Sequence, residues 1–410
     1  MTARSVGRFF KTEGNSLERA YKHHLSNFEQ WDQKAHAEDW VLLAENFGEK
    51  MSIDETMLCD DLFTFLSNKA GKGKHGTLAA AVRGTTTEEV VKILTQVPEE
   101  IRRQVQEVTM DFSDSMYSII RQAFPWATIV IDCFHIMQLC GDALGEMRMK
   151  LKRTAVAEVK RQGRQFKKRL AKNQKQREYY RKKHPKNYSG KTRGRKPLRK
   201  NARFTPPKIE LEVKGQKVYE TKAELLTHVR YPLMKSREKW TDRQEEEMKV
   251  LFNLEPRMEL AYNLVHRIRC LFKSKITPEE AKPKLDEWCK DVGKTLIREL
   301  ISVRDTIKQR EPEILNYFTN RSTNASAESL NSKIKGFRAQ LRGVHDLPFF
   351  MYRLMVIFWV SGASVHPRTI AAEPKILQIS RILAVKFNEL RTILYIKGTR
   401  ENVCDDFFFF

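Results

Sequence analysis

The sequence predicts an α/β fold: a mixed sheet of strand order 3-2-1-4-5, interrupted by a large, mostly α-helical insertion and flanked by helices at both ends. Three observations predict it. Short β-like runs begin at Met51 and continue in the pattern β-β-β-α-β-α-β. A helix-period stretch, strongly basic in its first part, runs from about 146 to 318. Before Met51, apolar residues recur at helical spacing around Tyr21, Leu25, Phe28, Trp31, Trp40 and Leu43 with no Gly or Pro among them.

Residues 1–48 are therefore expected to be a helical lead-in. The first part of the α/β domain, 49–145, opens with strands over Met51 to Glu55, Leu62 to Leu66 and Thr77 to Val82, separated by turn-rich residues such as Asn68 and Gly71-Lys72-Gly73. Thr86 with Glu89 predicts a capping box ahead of a helix through Val90, Ile93, Leu94 and Val97. Strands over Val105 to Met110 and Thr128 to Ile131 follow, joined by a helix through Met116, Ile119 and Ile120 that stops before Pro125. This order fits a ribonuclease H-like sheet, in which the first and fourth strands are neighbours. From Met137 to about His184 the pattern is a long basic helix, which loosens into a basic loop through Arg193-Gly194-Arg195-Lys196-Pro197. The insertion, 146–318, then resumes as helices with a small hairpin around Glu210 to Tyr219. Residues 319–345 supply the helix of the third acid, and 346–410 supply C-terminal helices.

The charge distribution names the partner. The 410 residues carry +24, and 24 lysines and arginines against two acids between Arg148 and Arg203 account for +22 of it. Such a segment suits a polyanion: each phosphate neutralised releases counterion, giving salt-sensitive, sequence-independent affinity for DNA. Lys167, Lys168, Arg169, Arg181, Lys182, Lys183, Arg193, Arg195 and Lys196 are the candidate DNA contacts, and the Arg193 to Pro197 run approximates a minor-groove hook. A merely solvated helix is the bland alternative. Trp240 and Trp288 are candidates for stacking on an unpaired base, with burial in a helical core the competing reading. No run approaches the roughly 18 apolar residues a membrane helix needs, and the start lacks a signal-peptide core, so a cytoplasmic, nucleoid-associated protein is expected. The six cysteines show no C-x-x-C pair and predict reduced thiols; Cys133 and Cys140 beside His135 lack a fourth zinc ligand.

Three carboxylates carry the chemistry. Asp54 and Asp111 each stand where a short apolar strand is expected to end, and Glu328 sits on a helix reading Glu328-Ser329-Leu330-Asn331-Ser332-Lys333-Ile334-Lys335. Carboxylates converging from separate elements suit two Mg²⁺ (or Mn²⁺) ions around a scissile phosphate. Strands lie about 4.8 Å apart, so the strand order favours Asp54 with Asp111; Asp132, on the fifth strand, would lie roughly 10 Å from the first. Glu328, Asn331 and Lys335 share one helical face while Leu330 and Ile334 form another. Asn331 would orient a water or a phosphate oxygen, and Lys335 would neutralise the strand being cut. The plain readings are a turn acid for Asp54, a helix cap for Asp111 or Asp114, and a structural histidine for His135.

The run Val108-Thr109-Met110-Asp111, then Phe124-Pro125-Trp126-Ala127 leading into Val130-Ile131-Asp132-Cys133-Phe134-His135, then Asn324 to Lys335, resembles the DDE transposases of bacterial insertion sequences of the ISL-three family, from about Ser52 to Phe358. The resemblance implies a catalytic and metal-binding triad of Asp54, Asp111 and Glu328, with Asn331, Lys335, Asp132 and His135 in support. It also implies DNA-end cleavage and strand transfer on double-stranded DNA, by a homodimer or larger assembly. Such transposases carry an N-terminal zinc ribbon or helix-turn-helix, and neither is visible before Asp54; end recognition is expected from a separate small DNA-binding protein, unless the chain is incomplete. A structure-specific nuclease on the same fold, or a non-catalytic DNA-binding descendant of a transposase, are the alternatives.

Overall fold

A computed structural model describes residues 3–71, 76–183, 202–341 and 343–358. The strands are β1 (Trp40–Leu42), β2 (Lys50–Leu58), β3 (Asp61–Asn68), β4 (Leu78–Arg83), β5 (Glu107–Met110), β6 (Thr128–Ile131), β7 (Ile209–Val213) and β8 (Gln216–Glu220). The helices are α1 (Ala3–Phe9), α2 (Gly14–Ala20), α3 (Thr87–Leu94), α4 (Glu99–Arg102), α5 (Asp114–Ala123), α6 (Cys133–Lys183), α7 (Lys222–His228), α8 (Asp242–Leu254), α9 (Pro256–Lys273), α10 (Pro278–Lys294), α11 (Arg298–Gln309), α12 (Glu311–Leu315), α13 (Tyr317–Asn320), α14 (Ala325–Gln340) and α15 (Leu347–Phe358). β1 to β6 form a mixed sheet in the order β1-β4-β3-β2-β5-β6, and β7 pairs with β8 alone. The described residues fall into two compact units, within the bounds Met1–Val108, Ser113–Ala127 and Asn324–Phe410 for the first and Thr109–Phe112 and Thr128–Thr323 for the second. Among the described residues no helix is long and apolar enough to cross a membrane.

In the first unit, β2 and β3 form an antiparallel hairpin closed between Leu58 and Asp61. Cys59 and Asp60 make the turn, both with positive φ (51° and 66°), as a two-residue turn that follows the strand twist requires. With the turn there, β2 runs nine residues and Asp54 lies at its middle, opposite Phe65, not at its end. β1 pairs antiparallel with β4, Val41 opposite Ala81. Trp40 to Leu42 was expected to belong to a helix; three consecutive apolar residues carry neither a 2.0 nor a 3.6 period, and pairing decides the matter. Leu330 and Ile334 of α14 and Phe349 and Leu354 of α15 bury against Phe28, Val41, Phe63 and Phe65. At α3, Thr86 is the N-cap, but its hydroxyl donates to the Glu89 carboxylate and caps no backbone amide, so the expected box is not made.

The second unit is built on α6, 51 residues long. Its first turns bury Ile136, Cys140, Ala143 and Leu144, and beyond Ala155 it has no buried residue. Phe204 packs against Phe166 with its ring tilted, centroids 5.9 Å apart, and it lies 3.4 Å from where a Cβ on Gly163 would stand, so the returning chain lies close against α6 there. α7, α8 and α10 start with capping boxes at Thr221/Glu224, Thr241/Gln244 and Thr277/Glu280, each satisfying two orphan amides. Trp288, 1% exposed, donates its indole N–H to the Leu264 carbonyl at 2.9 Å. Trp240 donates to the Pro232 carbonyl and packs on Tyr262 at 5.4 Å.

Candidate active site

Asp54 and Glu328 belong to the first unit, Asp111, Asp132 and His135 to the second. In the first, Asp54 is half-buried in β2. Its Oδ1 accepts the Glu55 amide at 2.8 Å and its Oδ2 accepts the Asn331 side-chain amide at 2.6 Å. Two further side chains of the α14 segment run along the same strand: Asn324, at the N-cap, donates to the Ile53 carbonyl (3.3 Å) and Arg338 to the Met57 carbonyl (3.4 Å). These bonds set the register of the helix on β2. Glu328 is exposed in the first turn of α14, one turn before Asn331.

The sequence places Asn331 with Glu328 and Lys335 on the polar face. The structure moves it: Asn331 is 6% exposed, on the packed side beside Leu330, while Glu328 and Lys335 are exposed. At 100° per residue Asn331 borders both faces, and the Asp54 carboxylate decides which it joins. Its other amide atom, Oδ1, is buried with no hydrogen-bond partner. A buried amide oxygen so placed is an acceptor that a water or a cation can satisfy.

In the second unit Asp111 follows β5 directly and pairs with His135 Nε2 at 2.8 Å. It is not the cap of α5; Ser113 fills that role by accepting the Met116 amide. Asp132 follows β6, 2% exposed, and its carboxylate accepts the Phe134 amide at 3.0 Å while its own N–H donates to the Met110 carbonyl. This makes Asp132 the residue that caps the start of α6, and His135, one turn in, delivers its ring to Asp111. Burial pushes the Cys133 thiol up and the Cys140 thiol to about 12, which keeps both protonated and poor ligands at neutral pH. Tyr317, hydrogen-bonded to Cys133, is likewise pushed up to about 12 by burial.

The basic candidates Lys167, Lys168, Arg169, Arg181, Lys182 and Lys183 are all exposed on α6. Arg193, Arg195 and Lys196 lie outside the described residues. Sequence reasoning missed Asn324 and Arg338, which hold α14 to β2; an Asn directly before a helix was the one available signal.

A comparison with curated proteins finds no match. The model of a transposase family, the DDE transposases of the ISL-three type, matches residues 51–200 and 208–354. That match spans both units and every candidate acid, and the chain belongs to this family of transposases.

Proposed function

We propose that this transposase cuts and joins DNA with Asp54, Asp111 and Glu328 as its acidic triad. The observation that carries the proposal is the 2.6 Å hydrogen bond from Asn331 to Asp54, which fixes on β2 the helix that bears Glu328. The strand order β4-β3-β2-β5-β6 supports a ribonuclease H-like sheet with β1 as an extra edge strand, and in it β2 neighbours β5 and not β6. This favours Asp111 over Asp132 as the second acid. The helices that follow α6 support an insertion between the second acid and the third.

The family implies a divalent metal, and the residues fit one: three carboxylates, with a buried amide oxygen without a hydrogen-bond partner beside Asp54. When bound, Mg²⁺ lowers the pKa of an attacking water and withdraws charge from the phosphate. Asp54, Asp111 and Glu328 would hold two such ions. Asn331 orients Asp54, and His135 orients Asp111 through its 2.8 Å contact. The reaction we assign is hydrolysis of a phosphodiester at the element's end, leaving a 3′-hydroxyl, followed by attack of that hydroxyl on a target phosphodiester with departure of the target's 3′-oxygen.

Two results are expected. Replacing Asn331 with Ala should slow cleavage about 10–100-fold, the scale of losing a residue that positions a metal ligand, with the chain still folded; a single-turnover cleavage rate beside a urea melt checks it. Changing Lys167, Lys168 and Arg169 together to Gln should flatten the plot of log affinity against log salt by about 0.9 for each phosphate no longer neutralised. An unchanged slope would remove that stretch of α6 from the DNA interface.

A further inference from the structure

In the second unit the walls of a cavity of about 540 Å³ include Arg148, Arg153, Arg230, Asp142, Glu146 and Gly145. Arg148 is 7% exposed; one guanidinium nitrogen donates to the Leu226 carbonyl at 2.7 Å, and its Nε is buried without a hydrogen-bond partner. Burial, and the like charge of Arg230, pull its pKa down. Glu146 is held by Lys150 at 2.9 Å, and among the described residues Asp142 lies within 4 Å of no cation.

Two buried carboxylates of the same unit are paired differently. Glu220 and Glu247, both buried, share Arg243 at 2.6 and 2.7 Å, so each is compensated. A guanidinium taken out of water without a counter-ion is unfavourable, and two more arginines line the same space. Arginine presents a planar fork of donors that matches phosphate oxygens. We propose that this cavity is a phosphate site, with Arg148 at its base and Arg153 and Arg230 closing on the anion. Arg148 is also the first of the 24 basic residues that continue along α6 and beyond, which favours a phosphate of the DNA backbone as the occupant. That source rests on the reading that DNA is the substrate; the site itself does not.

Gly145 gives a clean test, because a Cβ there would meet nothing within 4 Å, so Gly145→Leu fills the cavity while keeping every arginine and raising helix propensity. Arg230→Gln removes one exposed donor, and Lys290→Gln, exposed on α10, is the control for charge. With the full chain at matched ionic strength, inorganic phosphate is expected to raise the melting temperature by about 2 °C at tenfold saturation, and to do so in neither Gly145→Leu nor Arg230→Gln. For duplex DNA, Arg230→Gln is expected to lower the salt slope by about 0.9 relative to Lys290→Gln. Protection by phosphate with no change of slope would keep the site and assign its phosphate to a soluble ligand. No protection of the intact chain and no change of slope would overturn the proposal. DNA-end cleavage scored in parallel separates the two readings: failure of the intact chain to cleave indicts the triad, failure of phosphate to protect it indicts the cavity.

Discussion

Replacing Glu328 by Gln is expected to slow DNA-end cleavage by about 10³-fold, the scale of deleting one electrostatic group at the transition state, while duplex affinity and the melting temperature stay at the level of the intact chain. The separation of effects follows from the placement of the residue. Glu328 is exposed on α14, whose hold on the sheet comes from buried Leu330 and Ile334 and from the bonds made by Asn324, Asn331 and Arg338. Gln keeps the shape and removes only the charge. Asp54→Asn is expected to cost as much, and the double variant no more than either single one, because groups that serve one step are not additive. Single-turnover cleavage of a labelled end measures all three; a double variant whose loss is the product of the two single losses would mean that the acids act separately.

The largest loss of stability is expected from Trp288→Ala, about 3–5 kcal/mol. The side chain is 1% exposed between α9 and α10, and its removal leaves a cavity and takes from the Leu264 carbonyl the indole N–H it accepts beside its own helical bond. Trp288→Phe keeps most of the volume and should cost about 1 kcal/mol for the lost indole hydrogen bond. Urea denaturation with an unchanged slope and a lower midpoint is the expected signature. If Trp288 instead stacked on a base, its replacement would spare stability and weaken binding to single strands.

Much of this was legible in the residues, for reasons that can be named. β6 and the β7–β8 hairpin stand out because short β-branched or alternating runs are bounded by turn residues, and α6 because its helical, basic pattern has no Pro in its span. The centre of β2 was not legible. Its hairpin turns on Cys59-Asp60 without glycine, so nothing in the sequence told that the strand runs on past Asp54. Asp132 is more conspicuous in sequence than Asp111, yet it is engaged by the helix it begins; a carboxylate's local hydrogen bonds are invisible until the helix start is placed. The arginine cavity was beyond sequence reasoning altogether, since Arg148 and Arg230 are far apart in the chain and meet only through the packing of α6 with α7.

If one acidic triad both cuts and joins DNA, Asp111 is its decisive member, because the other role open to it, capping α5, is already filled by Ser113. The measurement is a cleavage and joining assay on the element's own ends in Mg²⁺, comparing the intact chain with Asp111→Asn at equal DNA occupancy. Cut and joined products are expected from the intact chain and neither from the variant. Equal activity in both would contradict the triad, and cutting without joining by the intact chain would make the enzyme a nuclease.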